Sequence, residues 1–109
     1  MALTFGSHKL IDAADMSSSF HSDAISLVQK LGFSIHFIFT GAPVGSSYIA
    51  VSNDNVNWIL LPDSTQAISA AGDVFYSVND SKYLFARLHY SAISGSGSAE
   101  AFYSTKEAI

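Results

Sequence analysis

The chain has 109 residues, enough for one domain and too few for two ordinary ones, and it holds no cysteine, which excludes a disulfide framework, a thiolate zinc site and a cysteine nucleophile. Nine acidic residues against five basic ones give a formal charge of −4, the wrong balance for a phosphate-neutralising surface, so non-specific nucleic-acid binding is disfavoured. Apolar residues make up 49% and charged residues 13%; such a chain folds, and with so little charge on its surface it is expected to hide a face in an oligomer or a larger particle.

In chain order, "MALTFGSHKLIDAADMSSSF" lacks a basic segment followed by a long apolar stretch, and no run approaches about eighteen consecutive apolar residues. Neither a secretory signal nor a membrane span is expected. Residues 1–17 are read as an N-terminal arm or edge strand, and 18–109 as a single β-sandwich domain. In "SDAISLVQKLG", Asp23 at a possible N-cap and Gly32 at a possible C′ position allow a short helix, but the apolar spacing is mixed and a strand plus turn is the preferred assignment.

Period two then takes over. In "FSIHFIF", Phe33, Ile35, Phe37 and Phe39 point one way and Ser34, His36, Ile38 and Thr40 the other, the pattern of a strand with one buried face. "TGAPVGSS" reads as a Gly/Pro connection. "YIAVS" and "WILLP" read as the arms of an antiparallel hairpin around "NDNVN", with Pro62 closing the second arm. A short strand is expected over 67–69, another in "VFYSV", a turn at "NDSK" and a strand in "YLFARLHY". "SGSGS" is read as the loop of a hairpin that pairs "SAEAFYS" with the strand before it. Several short strands at roughly ten-residue spacing predict an all-β fold, a small antiparallel β-sandwich or jelly roll of seven or eight strands.

Asn53, Asp54 and Asn55 tolerate left-handed backbone angles and bond back to their own main chain, so a tight turn accounts for them. A calcium- or sugar-contacting loop is the competing interpretation, though one carboxylate is few for a cation. Trp58 is expected to pack the hairpin, with its indole N–H seeking a partner. His8, His21, His36 and His89 lack metal-ligand spacing, and no metal site or cofactor is expected. No nucleophile elbow, P-loop, dinucleotide fingerprint or zinc-protease string occurs, so no catalytic residue is assigned and the chain is expected not to be an enzyme. Asn79-Asp80-Ser81 matches the glycosylation sequon but carries little meaning without a secretory signal.

The order "FTGAPVG", "YIAVSNDNVNW", "AISAAGDVFYSVND" and "YLFARLHYSAISGSGSAEAFY", over residues 18–106, resembles a group of small bacteriophage virion-associated β-sandwich proteins. More loosely it resembles discoidin-like jelly rolls, with Asn55 standing where their hairpin usually has glycine. The resemblance implies a structural or adhesive role in a virion, as a capsid-decorating or tail- or fibre-associated subunit that binds identical copies and other virion proteins. It also makes Arg87 the late-strand arginine of the pattern, expected to donate to loop carbonyls or to pair with Asp54 or Asp73. Phe33, Phe37 and Leu88 are expected in the core. The rival function is a carbohydrate-binding module using Asn53, Asp54 and Asn55 with an exposed tyrosine, Tyr48, Tyr83 or Tyr90, as a platform for a surface glycan.

Overall fold

The computed structural model describes residues 8–79 and 82–107. Within them lie eight strands: β1 (His8–Asp15), β2 (Phe20–His21), β3 (Ile25–Ser26), β4 (Lys30–Ser52), β5 (Ile59–Leu60), β6 (Gln66–Ile68), β7 (Gly72–Val78) and β8 (Phe85–Glu107). All pair antiparallel in one continuous sheet. The all-β expectation and its strand number hold.

Two strands of 23 residues organise everything else. β4 and β8 pair from Lys30↔Glu107 to Ser52↔Phe85. Drawn straight at about 3.3 Å per residue, this ribbon would run roughly 75 Å, yet the longest dimension of the molecule is 44 Å. The ribbon is therefore folded over on itself. The corner falls where residues 41–44 face 94–97, with Gly41 at φ 86° and Gly95 at φ 79° and a register shift between Val44 and Gly45. Folding the ribbon gives two layers. The first contains residues 30–40 and 98–107, flanked by β7 on the β4 side and β1 on the β8 side; the second contains 45–52 and 85–92, flanked by β5 and β6 on one side and β2 and β3 on the other.

The corner corrects two sequence expectations. "TGAPVG" and "SGSGS" are not loops between strands; they are the paired halves of one bend, Gly41 opposite Gly97 and Pro43 opposite Gly95. "SAEAFYS" accordingly pairs with 34–40 and with β1, not with the strand before it. Glycine is needed here by contact as well as by angle, because a Cβ on Gly95 would stand 2.1 Å from the Ala42 carbonyl oxygen and one on Gly97 2.1 Å from that of Thr40. Elsewhere the local reading holds: within 24–28 lies the two-residue strand β3, followed by a turn with Gln29 at φ 61° and Lys30 N–H donating to Leu27 C=O. The β4–β5 hairpin is present, held by Ala50↔Leu60 and Val51↔Ile59. β1 lies at the edge of the first layer, and residues 1–7 fall outside the described residues.

Alternation fills the space between the layers. Phe33, Ile35, Phe37 and Phe39 project inward from the first, and Ile49, Val51, Ala86, Leu88 and Tyr90 from the second, all buried. Size complements size across the ladder: Phe37 is paired with Ala101 and Phe39 with Ala99, so small neighbours leave room for the rings at close-packed density. Phe37 crosses the gap, its ring 6.3 Å from Phe20 and 6.4 Å from Tyr90. A polar link also joins the layers, the Ser47 and Tyr76 hydroxyls 2.6 Å apart and buried.

Candidate functional site

The turn after β4 is closed on itself. Asp54 Oδ1 accepts bonds from the Ser52 hydroxyl (2.9 Å) and from the amides of Val56 (2.9 Å) and Asn57 (2.8 Å), while Oδ2 accepts from the Asn57 side-chain amide (2.7 Å). Ser52 Oγ accepts from the amides of Asp54 and Asn55. These donors, the Asn57 and Val56 amides first, hold the Asp54 carboxyl far below the usual carboxylate range. Asn55 takes the left-handed angle, φ 61°, that glycine would otherwise supply. Asn53 reaches across to accept from the Leu84 amide at 3.1 Å, tying the turn to the start of β8. Beside it, Ser52, Asn53, Asn57, Ile59 and half-buried Tyr83 line a cleft of about 140 Å³, below the roughly 300–1,000 Å³ of small-molecule sites.

The outer face of the second layer carries a cluster that "YLFARLHY" hints at by placing Arg87 and His89 on one side of a strand. The Arg87 guanidinium lies over the Trp58 ring, 4.2 Å from its centroid, and Arg87 Nε donates to His89 Nε2 at 2.8 Å. Arg87 thus takes an aromatic ring and an imidazole as partners, not the Asp54 or Asp73 carboxylate expected from sequence; Asp73 instead bonds His36, Oδ2 to Nε2 at 2.8 Å. Acceptance at Nε2 leaves the His89 proton on Nδ1, which faces the Tyr48 hydroxyl at 3.3 Å. Tyr48 also stacks on the His89 ring (4.9 Å, 12°), and His21 flanks it at 5.2 Å. Tyr48 is therefore committed to a neighbour, and residue types alone give no means of pairing strands β2, β4 and β8 into one row.

Burial first, then the Arg87 and His21 charges, push His89 down to about 4. In the unfolded chain it returns to about 6.5. Between these values the unfolded state binds the proton and the folded state does not, so this contribution is complete above about pH 6.5 and is lost as pH falls toward 4. Wild type is expected to lose about 1–2 kcal/mol over that window, less than full linkage gives because the ring is partly open to water. Thermal melts at pH 7, 5.5 and 4 check this, with His89→Gln expected to flatten the slope.

Across the outer face of the first layer, strand register sets Phe75, His36, Phe102 and Lys9 side by side on β7, β4, β8 and β1. The same register places Ser77, Ser34 and Ser104 on one side of that row and Asp73, Ile38 and Glu100 on the other. No group of three or more His, Cys, Asp or Glu residues suited to a metal ion occurs among the described residues. No helix among them is long and apolar enough to cross a membrane. Asp80 and Ser81 of the sequon lie outside the described residues.

No protein-family model matches the chain, and no curated protein matches it. Solved structures do. The SPBc2 prophage-derived protein YomS is similar at TM-score 0.64, over 97% of this chain and 96% of that one, with 7% sequence identity. The PBSX exported protein XepA is similar at TM-score 0.57 and 14% identity; the match takes in 98% of this chain but 36% of that one. A structure of Bacillus endospore appendages, described as disulfide-linked pili, is similar at TM-score 0.53 and 11% identity over 98% and 93% of the two chains. At these identities the likeness is one of fold, and at that level it meets the resemblance to phage β-sandwich proteins read from the residues.

Proposed function

We propose that this chain is a non-enzymatic structural subunit of a bacteriophage-type particle, decorating a capsid or belonging to a tail or fibre, and that it works by binding identical copies and a larger shell. The observation that carries this reading is the match in fold with a prophage-derived protein over 97% of one chain and 96% of the other. Likeness to a pilus structure adds support for assembly. Without cysteine, these 109 residues would assemble through surface contacts rather than the disulfides named for those pili.

Exposed apolar groups on the surface support such contacts. Hydrogen bonds from Leu27 N–H to Leu84 C=O and from Leu84 N–H to Asn53 Oδ1 bring residues 27–31, 53–57 and 82–84 to the end of the sandwich opposite the corner. Val28, Leu31, Val56 and Leu84 are exposed there, with Ile59 exposed beside Asn53, Asn57 and Tyr83, and exposed aliphatic side chains gathered at one place mark interaction sites. A role without catalysis fits the use of the titratable groups in local contacts: Asp54 in its turn, His36 with Asp73, His89 with Arg87.

Sedimentation velocity over a concentration series is expected to show reversible association, and mass spectrometry of purified particles to find the chain among their proteins. The double variant Val56→Glu, Ile59→Glu is expected to sediment as a monomer with an unchanged circular dichroism spectrum. A protein that stays monomeric at high concentration and is absent from particles would overturn the assignment.

A further inference from the structure

We infer that the outer face of the first layer is a binding site for a neutral polysaccharide chain, laid across the strands on the Phe75–His36–Phe102 row. A cleft of about 520 Å³ opens on this face, lined by Ser34, His36, Ile38, Phe75, Phe102 and Ser104 among others, a size within the range of small-ligand sites, roughly 300–1,000 Å³. Phe75 is 63% exposed, turned outward because its strand neighbours Val74 and Tyr76 pack inward. An aromatic ring left open to water on a rigid sheet is a platform for an apolar surface of a ligand.

The surroundings define which ligand. The platform is fixed: the His36 ring sits 5.6 Å from that of Phe75 and is held by Asp73, and the Lys9 ammonium stands 5.3 Å over Phe102 while bonding Asp12 at 3.0 Å and Glu100 at 3.3 Å. The Ser34 and Ser104 hydroxyls meet at 2.9 Å on the other side of the row. The face thus presents an aromatic band with hydroxyls along one side and carboxylates along the other. A pyranose has matching parts, a C–H face that stacks on rings and a rim of hydroxyls that donates to and accepts from such groups. Strands are about 4.8 Å apart, close to the length of one sugar residue in an extended chain, so successive sugars would meet successive strands. Among the described residues, Asp73, Glu100 and Asp12 share this face with Lys9 and, beyond the serines, Lys106, so carboxylates outnumber ammonium groups and no basic field is left for a phosphate or sulfate polymer. A neutral glycan fits that balance. The site differs from the Asn53–Asn55 turn, whose carboxylate is already occupied by its own loop.

Affinity electrophoresis of the full chain through gels containing hydroxyethyl cellulose, glycol chitin or dextran tests the inference. Retardation by at least one of the three is expected, and Phe75→Ala is expected to weaken it roughly tenfold or more, as loss of a stacking ring does. Ile93→Ala, exposed at the corner, is expected to leave it unchanged. Phe75 lies on the surface, so a matching circular dichroism spectrum establishes that the variant is folded. The inference is overturned if none of the gels retards the wild type, or if Phe75→Ala is retarded as strongly as wild type. Loss of self-association in Phe75→Ala with retardation intact would assign the face to a second copy of the chain instead.

Discussion

Phe37→Ala is expected to lower the unfolding free energy by about 3–5 kcal/mol, as measured by urea denaturation. Phe37 is fully buried, and its ring touches those of Phe20, Phe39 and Tyr90, which come from both layers. Its cross-strand partners are Ala101, which carries only a methyl group, and Val74, whose branched side chain is short and stiff, so neither can swing into the vacated volume. The cavity therefore stays open, and the cost is that of lost transfer plus lost contacts. Small domains are stable by only about 5–15 kcal/mol, so this one truncation is expected to remove a large share of the total and to shift the urea midpoint strongly. Ile93→Ala is the reference: Ile93 is 77% exposed and its loss is expected to stay within about 0.5 kcal/mol.

The second large effect is expected at the corner. Gly95→Ala places a methyl group 2.1 Å from the Ala42 carbonyl oxygen, a backbone atom that cannot rotate away, at a residue whose φ of 79° already disfavours any side chain. The left-handed angle alone costs roughly 1–2 kcal/mol, and relief of the clash requires the Pro43↔Gly95 pairing to open. A loss of about 3 kcal/mol or more is expected, seen as a lowered midpoint in chemical denaturation. Ser96→Ala, next door and exposed, should leave the midpoint within the error of the measurement. If Gly95→Ala melts like wild type, the corner does not depend on close approach of the two backbones.

The contrast between these two sites shows what was legible from sequence. Phe37 declares itself through the alternation of "FSIHFIF", because period two is a local property and one buried face is enough to produce it. Gly95 does not. Gly, Pro and Ser suit a loop between strands and a sharp bend within two paired strands equally well, and the choice depends on a partner far along the chain. The same limit explains Arg87: its side of the strand followed from alternation, but its neighbours, Trp58 from the β5 hairpin and His89 two positions on, depend on packing of the hairpin against the sheet. The Asn53–Asn55 turn was read correctly as a self-satisfied turn because all its bonds but one lie within six residues. The Phe75–His36–Phe102 row was invisible, since its members come from three strands brought together only by register.

The folded ribbon also dictates when this protein can acquire its structure during synthesis. β1, β2, β3 and β4 all hydrogen-bond to β8, the last of the described strands to emerge from a ribosome. Until then β4 has only β5, β6 and β7 on one edge, and its Phe-rich side has no opposing layer. With partners as distant as Lys30 and Glu107, closure is governed by long loops, and such topologies fold in milliseconds to seconds rather than microseconds. The nascent chain thus spends its translation time with an uncovered hydrophobic edge, a period in which chaperone capture, or premature pairing with the β4 of a neighbouring nascent copy, competes with correct closure.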